Sequence, residues 1–269
     1  MTTDERWPGD PGDALDREVG VLLASSAGVP GCEVVIGPDV VIGTLGIPIP
    51  PLNIVSRARF TPGSVDARID AVLSWFADRE MPLLWWVGPD DEPRDLGGRL
   101  LGRGLVKDDE RVPGMVAQLH HVPDEAPPPA VTVERVIDEA TFRSACAVVA
   151  EGFGLSPEFG VALGKMAVIG FADEVPQRTY LARLDGRPAA VSLGVRAAEV
   201  LGIFNVATVP AARGRGLGRA VTLAAMRDGV TEGCRVAVLQ SSEMGHKVYE
   251  RLGFADFCRF DVYVRTMAG

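Results

Sequence analysis

The sequence is short of basic residues: 27 lysines and arginines stand against 36 aspartates and glutamates in 269 residues, a formal net charge of −9. A chain of that sign is not drawn as a whole to nucleic acid or anionic lipid, so any basic site must be local. Long apolar runs are missing too. No stretch approaches the roughly 20 residues that cross a bilayer, and the start, MTTDERWPGDPGD, is acidic and rich in Pro and Gly where a signal peptide would be basic and then apolar. A cytoplasmic location is expected, with neither nucleic acid nor membrane as a partner. Four cysteines, Cys32, Cys146, Cys234 and Cys258, are widely spaced and form no CxxC pair, so neither a disulfide framework nor a metal site has support. His120 and His121 stand together without a matching ligand cluster, and no metal is expected.

What is present is a core. Apolar residues make up 47% of the chain, and the length suits two domains. Residues 1–12 offer little to bury and are expected to fray. Apolar spacing predicts a helix over 14–27, hairpin strands on either side of GPD at 37–39, and a strand over 52–60. A helix over 65–80 follows with Ser64 as its cap, then the apolar strand MPLLWWVG, a helical segment closing at 105 and a strand over 114–121. VPDEAPPPA, residues 122–130, lacks donors at four prolines and reads as a semi-rigid linker. Beyond it come a strand (131–137), helices over 138–153 and 159–174, strands over 178–184, 189–195 and 200–209, another helix, a strand (234–240), a segment HKVYERLGF and a closing strand (259–265).

The halves repeat. LNIV at 52–55 matches FNVA at 204–207, and LLGRGL at 100–105 matches YERLGF at 249–254, both pairs about 150 residues apart. The boundaries expected are therefore a first domain over 1–121, a linker over 122–130 and a second domain over 131–269. Trp75, Trp85, Trp86, Phe60 and Phe76 are expected to form the first core.

The copies differ at VATVPAARGRGLGRA, residues 206–220, where an apolar strand runs into alternating glycine and arginine. A helix N-terminus leaves its first N–H groups unpaired and carries partial positive charge, so it seats anions. Gly214, Gly216 and Gly218 strip side chains from alternate positions, and Arg213, Arg215 and Arg219 add charge-assisted donors. The stretch reads as a pyrophosphate cradle. A dinucleotide fingerprint would need glycine where Arg219 stands, and a P-loop would need a Gly-Lys-Ser/Thr ending.

The order R-G-R-G-L-G (213–218), then a strand, then VYERLGF (248–254) resembles the GNAT N-acetyltransferase family, whose acyl-CoA motif is R/Q-x-x-G-x-G/A and whose second marker is A-x-x-x-Y-x-x-x-G-F. The resemblance implies an α+β fold of two GNAT-like mixed-sheet units in tandem, the first degenerate, with the acyl-CoA site in the C-terminal unit. It implies an acetyl-CoA-dependent N-acetyltransferase, with an amine of a small molecule or peptide as acceptor. By it, Ala207, Thr208 and Val209 lie along the pantetheine arm, a strand N–H near Ala207 meets the thioester oxygen, and Leu217 joins the turn residues in holding the cofactor. Gly245 stands where the family usually has alanine, and Ser242 where it often has a CoA-contacting asparagine.

An amine of pKa about 10 is roughly one part in a thousand neutral at pH 7, so a base must assist. Glu199, before the core strand, and Glu151, in the segment that resembles the family's acceptor-facing loop, are the candidates. His246 is read as a surface or structural residue. Tyr249, on the second marker, would protonate the leaving thiolate. Two other readings stay open: a non-catalytic acyl-CoA-binding or regulatory protein, and a transferase of another acyl group. A monomer is expected, with a homodimer as the alternative.

Overall fold

The computed structural model describes residues 11–26, 29–172 and 174–267; residues 1–10, most of the stretch expected to fray, lie outside the described residues. The elements of the first half are α1 (Pro11–Ser25), β1 (Glu33–Ile36), β2 (Val41–Thr44), β3 (Asn53–Ser56), α2 (Val65–Ala77), β4 (Leu83–Val87), α3 (Leu96–Leu101), β5 (Val106–Lys107) and β6 (Val112–Gln118). After the proline-rich segment come β7 (Val131–Arg135), α4 (Glu139–Gly152), α5 (Pro157–Leu163), β8 (Gln177–Leu184), β9 (Arg187–Ala197) and β10 (Val200–Thr208). The chain ends with α6 (Leu217–Thr231), β11 (Val236–Gln240), α7 (Glu243–Glu250) and β12 (Ala255–Arg265).

Local sequence explains most boundaries. Asp138 caps α4, its carboxylate accepting the Thr141 N–H at 2.8 Å. Ile69, Val72, Leu73 and Phe76 give α2 its buried face. Ser64 does stand at the N-cap of α2, but its hydroxyl donates to Thr61 O at 3.1 Å instead of accepting from the helix. The helix expected over 159–174 is shorter: α5 stops at Leu163, a 3₁₀ turn covers Gly164–Ile169, and Gly170 leaves it at φ 85°. Three glycines, 160, 164 and 170, remove the propensity a longer helix needs.

The chain forms two compact units, Met1–Ser25 with Met115–Ala255, and Ser26–Gly114 with Asp256–Gly269. In the larger unit β7, β8, β9 and β10 are successively antiparallel, β10 and β11 are parallel, and β6 lies beside β11. α1, α4 and α6 pack on β9 and β10. In the smaller unit β1, β2 and β3 are antiparallel, β3 and β4 parallel, β4 and β12 antiparallel, with β5 also on β12. The fold is α+β, and the strands of each unit follow one topology: an antiparallel meander, a helical crossover to a parallel strand, and a last strand beyond it.

The grouping differs from the linear division at 122–130. Strand β6 completes the larger unit and β12 the smaller, so each sheet takes its last strand from the far side of that segment. Composition marks where chain is irregular; pairing decides where a strand belongs. The segment itself is strapped along α6, because Arg227 donates to Pro123 O and Glu125 O, both at 2.8 Å. Trp85, Phe60 and Phe76 do fill the smaller core; Trp75 stacks under Arg79, and Trp86 meets Phe260 edge-on at 6.1 Å.

The internal match LNIV/FNVA is out of register. β3 pairs with its parallel partner at Ile54 and Val55, whereas β10 does so at Val200, Leu201 and Gly202. Register follows from pairing, which short sequence matches do not see.

Candidate active site

The larger unit's sheet opens at one place. β10 and β11 pair over Val200–Gly202 and Val236–Val238 only, after which β10 runs on to Thr208 without β11. A bulge between Phe204 and Ala207 drives the divergence, with Asn205 at φ 51°. Asparagine tolerates this left-handed conformation better than most residues with a side chain, and an asparagine inside an apolar strand was the one sequence signal for the bulge.

Main-chain alternation decides which groups line the opening. Val209 N–H donates to Ala189 O at 2.9 Å, and Ala207 lies opposite Val191 two residues earlier, so Ala207 turns its N–H toward β9. Thr208 is the residue whose N–H and C=O turn away from β9. The strand N–H that faces the opening is therefore that of Thr208, one residue on from Ala207. Ala207 and Val209 are buried.

The turn after β10 leads to the bare end of α6. Gly216 is the N-cap at φ 79°, no side chain caps the helix, and the N–H groups of Leu217, Gly218 and Arg219 have no acceptor among the described residues. Three main-chain donors are therefore open to an anion. Gly214 (φ 74°) and Gly216 are glycine for conformation, since a side chain is disfavoured there. Gly218 is helical, and a Cβ on it would stand in ordinary contact, 3.5 Å from Thr208 Oγ1. Leu217 buries its side chain, so only its N–H faces the turn.

The three arginines do different things. Arg215 is exposed and has no hydrogen-bond or ion-pair partner among the described residues. Arg219 forks onto Glu125 at 2.7 and 2.9 Å and also donates to Arg251 O, which aims it down the helix flank. That pair holds the Glu125 carboxyl below the usual carboxylate range. Arg213 donates to Gly152 O at 2.8 Å and to Thr208 O at 3.3 Å. Two of the three expected phosphate ligands thus already hold protein oxygens.

Tyr249 lies in the apolar cluster that also holds Ile203 of β10 and Leu239 of β11, with its ring edge-on to Phe254 at 5.9 Å. Its hydroxyl has no hydrogen-bond partner among the described residues, and burial pushes its pKa up to about 12. Ser242 caps α7, its Oγ accepting the Gly245 N–H at 3.2 Å. His246 sits on α7, with Nδ1 3.8 Å from Glu250.

The two carboxylate candidates part company. Glu151 is in the last turn of α4, next to Gly152, where a Cβ would stand 3.2 Å from Thr208 N; this is the open end of β10. Glu199 precedes β10 at its other end, 3.7 Å from Arg235, and eight steps of strand at about 3.3 Å each separate it from Ala207. The structure does not bring Glu199 to the site, because proximity to a strand in sequence does not say which end of it is used.

In the smaller unit the corresponding opening is closed by the chain itself. β3 keeps a left-handed residue just past its end, Arg57 at φ 54°, but Glu92 N–H donates to Ala58 O at 2.8 Å and Phe60 N–H to Glu92 O at 3.0 Å. Glu92 thereby pairs with Arg59 in parallel, as an added strand would. Its helix α2 is entered through Thr61-Pro62-Gly63-Ser64, with no glycine-arginine turn.

The sequence profile of the Acetyltransferase (GNAT) family matches residues 155–254. That part of the chain is a GNAT domain. Its family is one of acyltransferases, and the whole chain is similar in fold to solved GNAT proteins. A GCN5-related N-acetyltransferase from Kribbella flavida superposes with a TM-score of 0.72 at 18% identity, covering 96% of each chain. One from Sphaerobacter thermophilus gives 0.61 at 17%, over 97% of this chain and 95% of that one. A tandem GNAT protein from the clavulanic acid biosynthesis pathway gives 0.60 at 15%, over 95% and 93%. No curated protein matches this chain in sequence. The smaller unit repeats the topology of a GNAT fold without the turn or the tyrosine. Among the described residues no group of three or more His, Cys, Asp and Glu could hold a metal, and no helix is long and apolar enough to cross a membrane.

Proposed function

We propose that this protein transfers the acetyl group of acetyl-CoA to an amine of a small molecule or peptide, by direct attack of the amine on the thioester, in the larger unit. One observation carries the reading: β10 and β11 part beside the uncapped N-terminus of α6, with the unbonded hydroxyl of Tyr249 in the cluster that spans both strands. Acetyl-CoA supplies the activated acyl carbon. The N–H groups of Leu217, Gly218 and Arg219, with the Arg215 guanidinium, hold its diphosphate. The edge of β10 that β11 leaves uncovered lies along the pantetheine arm, and the Thr208 N–H donates to the oxygen on which charge develops.

Glu151 takes the proton that the attacking amine must lose, directly or through water, and Tyr249 donates one to the departing sulfur. A phenol with its pKa pushed up to about 12 stays protonated at neutral pH, as a donor must. We place the reaction in the cytoplasm, where acetyl-CoA is made available and where four unbridged cysteines persist.

The test is calorimetry with acetyl-CoA followed by thiol release on a panel of primary amines. Binding with amine-dependent thiol release is expected. No heat with acetyl-CoA would overturn the transferase reading, and binding without release on any amine would leave an acyl-CoA-binding protein in its place.

A further inference from the structure

Arg213 opens the motif whose glycines hold the turn, and by charge alone it belongs with the diphosphate. Its hydrogen bonds point elsewhere. One guanidinium nitrogen donates to Gly152 O at 2.8 Å and Nε donates to Thr208 O at 3.3 Å, so a single planar group joins the end of α4 to the end of β10 across 61 and 5 residues of chain. Gly152 is where the two elements come closest: a Cβ there would lie 2.8 Å from Ala207 Cβ, 3.2 Å from Thr208 N and 3.4 Å from Thr208 O. Gly152 O is also among the last carbonyls of α4, which have no helical partner and carry the negative end of the dipole, so a guanidinium there satisfies both.

We propose that Arg213 is a positioning residue: it locks the α4 terminus, with Glu151 and Phe153 on either side of Gly152, onto the thioester-facing end of β10, and so sets where the acceptor amine stands. The inference rests on the function proposed above for β10, but the clamp itself is independent of it. Arg215, the turn arginine without a partner among the described residues, is left as the phosphate ligand. Phe153, Gly154 and Leu155 N–H groups close the end of α4 onto Val149, Glu151 and Ala150, at 3.1, 3.1 and 2.8 Å, and report whether the lock holds.

The experiment compares the full chain with Arg213→Gln and Arg213→Lys by three readouts: acetyl-CoA affinity by calorimetry, amide hydrogen exchange at 153–155, and KM for an amine that turns over. Arg213→Gln is expected to leave acetyl-CoA affinity within about two-fold, to speed exchange at 153–155 about ten-fold, and to raise the KM of the amine while the KM of acetyl-CoA holds. Arg213→Lys, which can still reach one carbonyl, is expected to restore much of the protection. A loss of acetyl-CoA affinity of about ten-fold or more makes Arg213 a phosphate ligand and overturns the proposal; unchanged exchange in Arg213→Gln overturns it as well. Should the unaltered protein fail to bind acetyl-CoA, the proposed function falls, while the exchange measurement still decides the clamp.

Discussion

The Tyr249 ring covers Gly245 so closely that a Cβ on the glycine would stand 2.8 Å from Tyr249 Cε2. In this chain a side chain at 245 would displace that ring. Gly245→Ala sets two effects against each other: alanine gains about 1 kcal/mol of helix propensity, and displacing a ring buried to 7% exposure costs about 1 to 3 kcal/mol. The ring is held between Phe254 and the apolar cluster, so the second effect is expected to win. Thermal melting should show no gain in Tm, with reduced turnover; a higher Tm at full turnover would mean that the ring is free to move.

Tyr249→Phe separates binding from proton donation. Acetyl-CoA affinity should hold while turnover falls by about 10- to 100-fold, read from thiol release under single-turnover conditions. Undiminished turnover would remove the hydroxyl from the reaction.

The same tyrosine predicts a pH dependence of stability. Its pKa is about 12 in the fold and about 10 in the unfolded chain. Between those values the unfolded chain has lost the proton that the fold retains, so the contribution is complete below about pH 10 and disappears as pH climbs toward 12. Tyr249→Phe should make the fall in Tm shallower between about pH 10 and 11.5. The slope should not vanish, since burial also pushes the Cys146 thiol up to about 12 and raises Tyr180. Identical slopes in variant and parent would show that the Tyr249 phenol ionises as it does in water.

Arg215 and Arg219 should respond differently to neutralisation. Arg215→Gln removes an uncommitted cation beside the α6 terminus and is expected to weaken acetyl-CoA about ten-fold, less so at high salt. Arg219→Gln breaks an exposed pair with Glu125, and affinity should move by no more than about two-fold. Calorimetry at two ionic strengths checks both, and the reverse ranking would return Arg219 to the diphosphate.

The smaller unit should take no acyl-CoA. Glu92 already occupies the edge of β3 that a pantetheine arm would need, through two main-chain hydrogen bonds. A single equivalent of acetyl-CoA per chain is expected in titration calorimetry, and a second binding event would show that the Glu92 segment yields.

Some of this was legible in the residues and some was not. Gly214, Gly216 and Tyr249 announce themselves because their chemistry is local: a turn needing left-handed residues, a helix start, and an aromatic at fixed spacing before Gly253-Phe254. Glu199 misled because a strand has two ends and sequence does not mark which one faces the cleft. Arg213 and Arg219 were read by charge, whereas their partners, Gly152 O and Glu125, lie 61 and 94 residues away. The placement of β6 and β12 was out of reach for the same reason, since nothing in either strand's own residues marks which unit it pairs with.

That placement has a consequence for synthesis. The smaller unit lacks its closing strand until residues 255–265 have left the ribosome, after the whole of the larger unit has been made. An unfinished sheet must be carried for the length of a domain, its edge exposed to wrong partners, so the strands made first are the last to be closed in.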